Sequence, residues 1–158
     1  MHDQASLVVP AWLGPDKIFF WDKANAFDFG VFALDRTSFA FADSGGLRLS
    51  GAIAGAAFDW PKIFTGAAIR IKLDGVKKVV AFSRPFPESP GPDPTSAEQA
   101  VEVLEKIGEL PMGEVAQGVT GILSGVVNAI NSVNELKAGR VVGTRVRGIL
   151  EGQMPPRR

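Results

Sequence analysis

The stretch AAIRIKLDGVKKVVAF, residues 67–82, fixes the reading of the whole chain. Asp74-Gly75 supplies the positive φ that a two-residue hairpin turn requires, and the runs on either side alternate with the period of two that a pleated strand imposes. Folding the runs together sets Ile69, Ile71, Leu73, Val80 and Phe82 on one face and Arg70, Lys72 and Lys77 on the other. The apolar face is expected against a core and the basic face turned away from it.

Upstream, further strand-like runs are separated by turn chemistry. Residues 7–13 and 17–21 (KIFFW) are split by Gly14-Pro15-Asp16, and GVFAL at 30–34 is divided from SFAFAD at 38–43 by Asp35-Arg36-Thr37. In SFAFAD, Phe39 and Phe41 fall on one face and Ser38, Ala40 and Ala42 on the other, the pattern of a strand with one face in a core. Ser44-Gly45-Gly46 turns the chain into LRLS. After AAFDW, Pro61 donates no ladder hydrogen bond, so it ends a strand or lies on an edge.

Downstream, RPFPESPGPDP at 84–94 is too rich in proline for strand or helix and reads as a boundary. A helix follows. Thr95 with Glu98, or Ser96 with Gln99, makes a capping box, and Ala97, Ala100, Val101, Leu104 and Ile107 recur at helical spacing. Its other side carries Glu98, Glu102, Glu105 and Glu109, and Pro111 and Gly113 end it. A second helical pattern runs over residues 114–137, with Val115, Val119, Ile122, Val126, Ile130, Val133 and Leu136 three and four apart. It contains Gly118, Gly121 and Gly125, each costing about 1 kcal/mol relative to Ala in a helix interior, for which tight packing is the natural compensation. Gly139 is placed as a C′ glycine. RVVGTRVRGILE, residues 140–151, fits a helix and a strand equally well, and residues 153–158 read as a disordered tail.

At 158 residues, 46% hydrophobic and with a net charge of zero, the chain is sized for one buried core and an appendage. Gly 18 and Pro 11 suit many short strands. The absence of cysteine excludes disulfides and thiolate metal sites. The N-terminus lacks a basic n-region, and no apolar run approaches the roughly 20 residues of a spanning helix. A cytoplasmic protein, free or peripheral to the membrane, is expected. Charge is unevenly spread: residues 62–84 are mostly basic, 88–114 mostly acidic and 137–158 basic again. This is not the strongly basic footprint of a nucleic-acid binder.

Some eight strand-like segments followed by a capped amphipathic helix resemble a pleckstrin-homology-like (PH-like) domain, and residues 30–83 look most like its GRAM or bacterial PH-like type. The likeness rests on GVFALDRTSFAFADSGG and on FDWPK with GAAIRIKLDG and VVAFSRP; it covers the first two thirds of the chain and consists of patterns, with no catalytic motif. It implies an α+β, mainly β fold: an antiparallel β sandwich or barrel capped by a C-terminal helix. The expected organisation is a PH/GRAM-like domain at 1–110 with its capping helix, then a helical extension at 111–152, which lies outside the family's pattern.

Catalysis has little to work with. His2 is the sole histidine, so no Ser-His or Cys-His arrangement and no histidine metal cluster can be assembled. Asp22, Asp28, Asp35, Asp43, Asp59 and Asp74 lie at strand ends and turns, where such side chains cap backbone amides. The glycine-rich segments lack the lysine of a phosphate loop. A non-enzyme without metal or cofactor is expected. Arg70, Lys72, Lys77 and Lys78 form the candidate binding patch, able to attract an acidic protein partner or anionic lipid; in the resembling family lipid phosphates can bind near such hairpins, although many bacterial members are not known to bind lipid. Trp60 beside Pro61 reads either as an aromatic anchor or as packing over the sheet edge. Gly118, Gly121 and Gly125 suit close packing within the chain, self-association through a helix–helix contact between subunits, or insertion at a membrane interface. The expected function is an adaptor or self-association module. Alternatives are peripheral binding to anionic membranes and carriage of a small hydrophobic ligand, the latter suggested by 11 Phe with no Tyr.

Overall fold

The computed structural model of the chain describes residues 7–16, 26–35, 37–61, 67–86, 89–106 and 136–151. Seven strands form one antiparallel sheet: β1 (Leu7–Pro15), β2 (Asp28–Leu34), β3 (Ser38–Asp43), β4 (Gly46–Ala52), β5 (Ala57–Asp59), β6 (Ala68–Leu73) and β7 (Val76–Ala81), in the order β4-β3-β2-β1-β7-β6-β5. Two helices accompany it, α1 (Pro94–Lys106) and α2 (Leu136–Glu151). The architecture is mainly β with helices added.

The β6–β7 hairpin has the register its alternation dictates, with Ile69 opposite Val80, Arg70 opposite Val79 and Lys72 opposite Lys77. Asp74 and Gly75 take φ of 54° and 81°, the two left-handed residues of a tight hairpin turn. At the β2–β3 turn, Asp35 Oδ1 accepts the backbone N–H groups of Thr37 and Ser38, both at 2.8 Å. β5 ends before Trp60-Pro61 and lies at the sheet edge.

β1 departs from the sequence reading, since it runs straight through Gly14-Pro15, where a turn was expected. Its first half pairs with β2 alone, and β7 joins only from Trp12. Pro10, opposite Val31, therefore sits where its side away from β2 has no ladder partner to lose. Gly14 serves packing: a Cβ there would lie 2.6 Å from the Phe27 ring. The strand expected at 17–21 lies outside the described residues.

The sheet rolls up. Strands β3 and β5 stand five places apart in the order, about 24 Å across a flat sheet, yet the Phe39 and Phe58 rings meet edge to face at 5.6 Å. Gly51 on β4 likewise lies against Leu73 on β6. Rolling creates an inner core of Leu13, Phe32, Phe39, Phe41, Phe58, Ile69, Ile71, Val80 and Phe82, and an outer core built on Trp12, Phe29, Val31, Ala40, Ala42, Val79 and Ala81. Both faces of β3 are consequently buried, not one as its alternation implied; the alanines of SFAFAD are the outer-core face.

The helices divide between the two cores. Ala97, Ala100, Val101 and Leu104 of α1 pack into the outer core, over β2 to β4, whereas Val146, Ile149 and Leu150 of α2 enter the inner one. The expectation that the acidic-backed helix plugs the sandwich is thus not met, because it is the C-terminal helix whose apolar side chains reach the interior. The capping box is also corrected. Asp93 is the cap, its carboxylate accepting Thr95 N–H at 3.1 Å and Ser96 Oγ–H at 2.9 Å, with Pro94 as first helical residue, where a missing N–H costs nothing.

Residues 140–151, equally compatible with helix and strand, are helical. Gly139 is not a C′ terminator but lies inside α2, where a Cβ would come within 2.8 Å of Ser83 Cβ and 3.0 Å of Ala67 Cβ. The glycine lets the helix backbone rest on the ends of β6 and β7. Among the described residues no helix is long and apolar enough to cross a membrane.

Candidate recognition surface

The hairpin alternation that buries Ile69 and Ile71 inward presents Arg70, Lys72 and Lys77 on the outer side of the sheet. They differ electrostatically. Arg70 is clamped by two carboxylates, Nε donating to Asp16 Oδ1 and Nη1 to Asp59 Oδ1, each at 2.6 Å. Asp59 stands directly opposite Arg70 on the edge strand, and Asp16 follows the end of β1. Arg70 is thereby compensated and only 29% exposed.

Lys72 and Lys77 face each other across the ladder, exposed, and no carboxylate of the described residues pairs with either. Like charges directly opposite in a sheet are destabilising. Beyond them, at the start of β7 and opposite Leu73 on the other face, Val76 is 54% exposed. Lys78 pairs with Ile71 and by alternation belongs to the other face, so the four basic residues do not form one surface.

Trp60 packs against the inner core at the sheet edge, and the Arg147 guanidinium of α2 lies 4.4 Å from its ring centroid. That face of the indole is already occupied by a cation. Gly118, Gly121 and Gly125 lie outside the described residues, as do His2 and Asp22.

A second feature escaped the sequence reading. Asp28, Phe29, Asp43, Ser44, Gly45, Pro90, Gly91, Asp93 and Ser96 line a cleft of about 430 Å³ between the β3–β4 turn and the start of α1. Its carboxylates are engaged. Arg48 bridges Asp43 and Asp28; partial burial works against its charge, but the hydrogen bonds and attraction of the two carboxylates outweigh this and raise its pKa. Asp43 also accepts Gly45 N–H at 2.9 Å, and Asp93 caps α1. Asp35 and Asp43 thus cap backbone amides as expected, while Asp28 and Asp59 pair with arginines. Among the described residues no group of three or more acidic or histidine side chains is placed to hold a metal ion.

No family model, curated protein or solved structure matches the chain.

Proposed function

We propose that the chain is a non-catalytic recognition module of PH/GRAM-like type that binds an acidic protein surface through its β6–β7 hairpin. The observation that carries this reading is the face-to-face pair Lys72 and Lys77, exposed and without a carboxylate among the described residues, beside an Arg70 that has two. A pair of lysines held against their mutual repulsion gains most from an anionic partner, which steers encounter as well as adding contact energy. The rolled antiparallel sheet with a C-terminal helix reaching its interior supports the PH-like assignment. The inner side is filled by packed rings, Phe32 and Phe82 lying 5.9 Å apart, which favours recognition at the surface over carriage of a ligand inside.

Titration with polyglutamate tests the reading. Binding should weaken with salt and fall about tenfold or more in Lys72→Glu/Lys77→Glu. Binding unaffected by the reversal refutes it. Val76, exposed at the hairpin tip on the other face from the lysines, favours a second reading, peripheral attachment to anionic lipid. Salt-sensitive co-sedimentation with phosphatidylserine vesicles, lost on the same reversal, distinguishes it.

A further inference from the structure

The helical state of α2 runs against its own composition. Gly139, Gly143 and Gly148 interrupt it, and Val141, Val142, Thr144, Val146 and Ile149 are β-branched; both residue types lower helix propensity. Its first turn has no acidic residue and its last no basic one, and it ends on Glu151, so its charges do not complement the dipole. Thr144 Oγ1 donates to the Arg140 carbonyl at 3.0 Å, a back-bond that slightly weakens a helix. A segment of this length and composition does not hold a helix in water by itself. Its helicity comes from its seat.

That seat has the form of a helix-binding groove. Gly139 and Gly143 are buried in one stripe with Val146, Ile149 and Leu150, small at the start of the helix and large at its end. The start rests on Ser83 and Ala67, and the end fills the inner core. Anchors at i, i+3 and i+4 in an apolar groove are how an amphipathic helix of one protein is recognised by another. Here Val146, Ile149 and Leu150 are those anchors, supplied by the same chain. α2 packs chiefly on β6, whereas α1 spreads over β2, β3 and β4. A thinly attached element of low intrinsic stability opens before the sheet beneath it.

We infer that the groove is a second recognition site, filled within the chain by α2 and open to exchange with an amphipathic helix of another protein. The helix it fits has a small residue followed seven, ten and eleven positions later by apolar side chains, the pattern of Gly139, Val146, Ile149 and Leu150. Tethering favours α2, so the partner displaces it by being the better helix, with alanine where α2 has its exposed glycine. The groove lies on the inner side of the sheet, opposite the face of Lys72 and Lys77, and the inference does not rest on the hairpin reading.

Fluorescence anisotropy tests it, with a fluorescein-labelled peptide of residues 136–151 carrying Gly148→Ala, titrated with the full chain at about 0.2 M NaCl to screen the charge of the peptide. Binding should saturate, with an affinity set by the fraction of chains whose α2 is unseated. Gly139→Ala in the chain, which unseats α2 and leaves the groove itself unchanged, should tighten binding about tenfold or more. Arg147→Gln, which removes the cation 4.4 Å from the Trp60 ring, should tighten it about two- to fivefold, and Gly148→Ala in the chain should weaken it about two- to fivefold. The peptide with Val146→Ser and Leu150→Ser, equal in charge, should not bind. Lys72→Glu/Lys77→Glu should leave peptide binding unchanged while abolishing that of polyglutamate, which separates this inference from the hairpin reading. Absence of binding to the wild type and to Arg147→Gln alike, equal affinity for every chain variant, or full binding of the serine peptide each overturns the inference. So does a wild type that sediments as a dimer which the peptide dissociates, because the groove then belongs to a second copy.

Discussion

Two glycines in α2 should respond to alanine with opposite signs. At Gly148 an added methyl meets nothing within 4 Å, so Gly148→Ala gains only the helix-propensity difference, about 0.5–1 kcal/mol. At Gly139 the same methyl would stand 2.8 Å from Ser83 Cβ and 3.0 Å from Ala67 Cβ. Neither atom can rotate away, because each is fixed to backbone beside the hydrogen bond from Phe82 N–H to Ala67 O, at 2.7 Å. Relief requires moving α2 off the strand ends, which disturbs Val146, Ile149 and Leu150 in the inner core. Overpacking costs about 1–3 kcal/mol, and the upper end applies where backbone must shift, so a propensity gain of about 1 leaves a net loss of about 2 kcal/mol. For a chain of this length that is roughly 4–8 °C in Tm for Gly139→Ala, against a rise of about 1–4 °C for Gly148→Ala. Thermal unfolding followed by far-UV circular dichroism, with urea titration as a check, reads both. A Gly139→Ala protein as stable as the wild type, or two shifts of the same sign, would refute the account of how α2 seats on the sheet.

Three further outcomes follow from particular contacts. Asp93→Ala removes the α1 cap and should cost about 1 kcal/mol in urea unfolding, while Thr95→Ala, which leaves the Asp93 carboxylate on its backbone N–H, should change stability by less than half of that. Gly30→Ala drives a methyl into the Ala42 carbonyl oxygen between paired strands, and a loss of about 3 kcal/mol on thermal unfolding, or failure to accumulate folded protein, is expected. Asp16→Asn with Asp59→Asn frees Arg70 to join Lys72 and Lys77, so affinity for polyglutamate should rise by up to about fivefold at low salt, the effect of roughly 1 kcal/mol per cation.

The strands were legible wherever alternation and turn chemistry acted together. Asp74-Gly75 and Asp35-Arg36-Thr37 each name a turn between alternating runs, and the structure turns there. Gly14-Pro15 carried the same local signal but lies within β1, because the residues that decide it are distant: Phe27 demands the glycine, and β7 pairs with Gly14 and Pro15. Assigning the helices to faces failed for a related reason. Amphipathicity states that a helix has an apolar side, but the rolling of the sheet creates two apolar surfaces of opposite orientation, and nothing within residues 94–106 states which of them is filled. The alanines of β3 were the available signal, since Ala40 and Ala42 leave shallow ground against which a helix can lie close.

The candidate site shows the same division between local and distant information. Lys72 and Lys77 flank one turn, and a two-residue loop places them opposite each other whatever the rest of the chain does. The neutralisation of Arg70 depends on Asp59, 11 residues away on the next strand, and on Asp16, 54 residues away beyond β1. In sequence Arg70 therefore ranks as the equal of its neighbours. Lys78 was grouped with them for its charge, although a shift of one position along a strand reverses the face. A patch counted from composition thus contracts from four residues to two once topology supplies the counter-ions and pleating the direction. The two that remain are those whose environment is set within the hairpin itself, and their repulsion is the part of the surface for which the described fold supplies no internal relief.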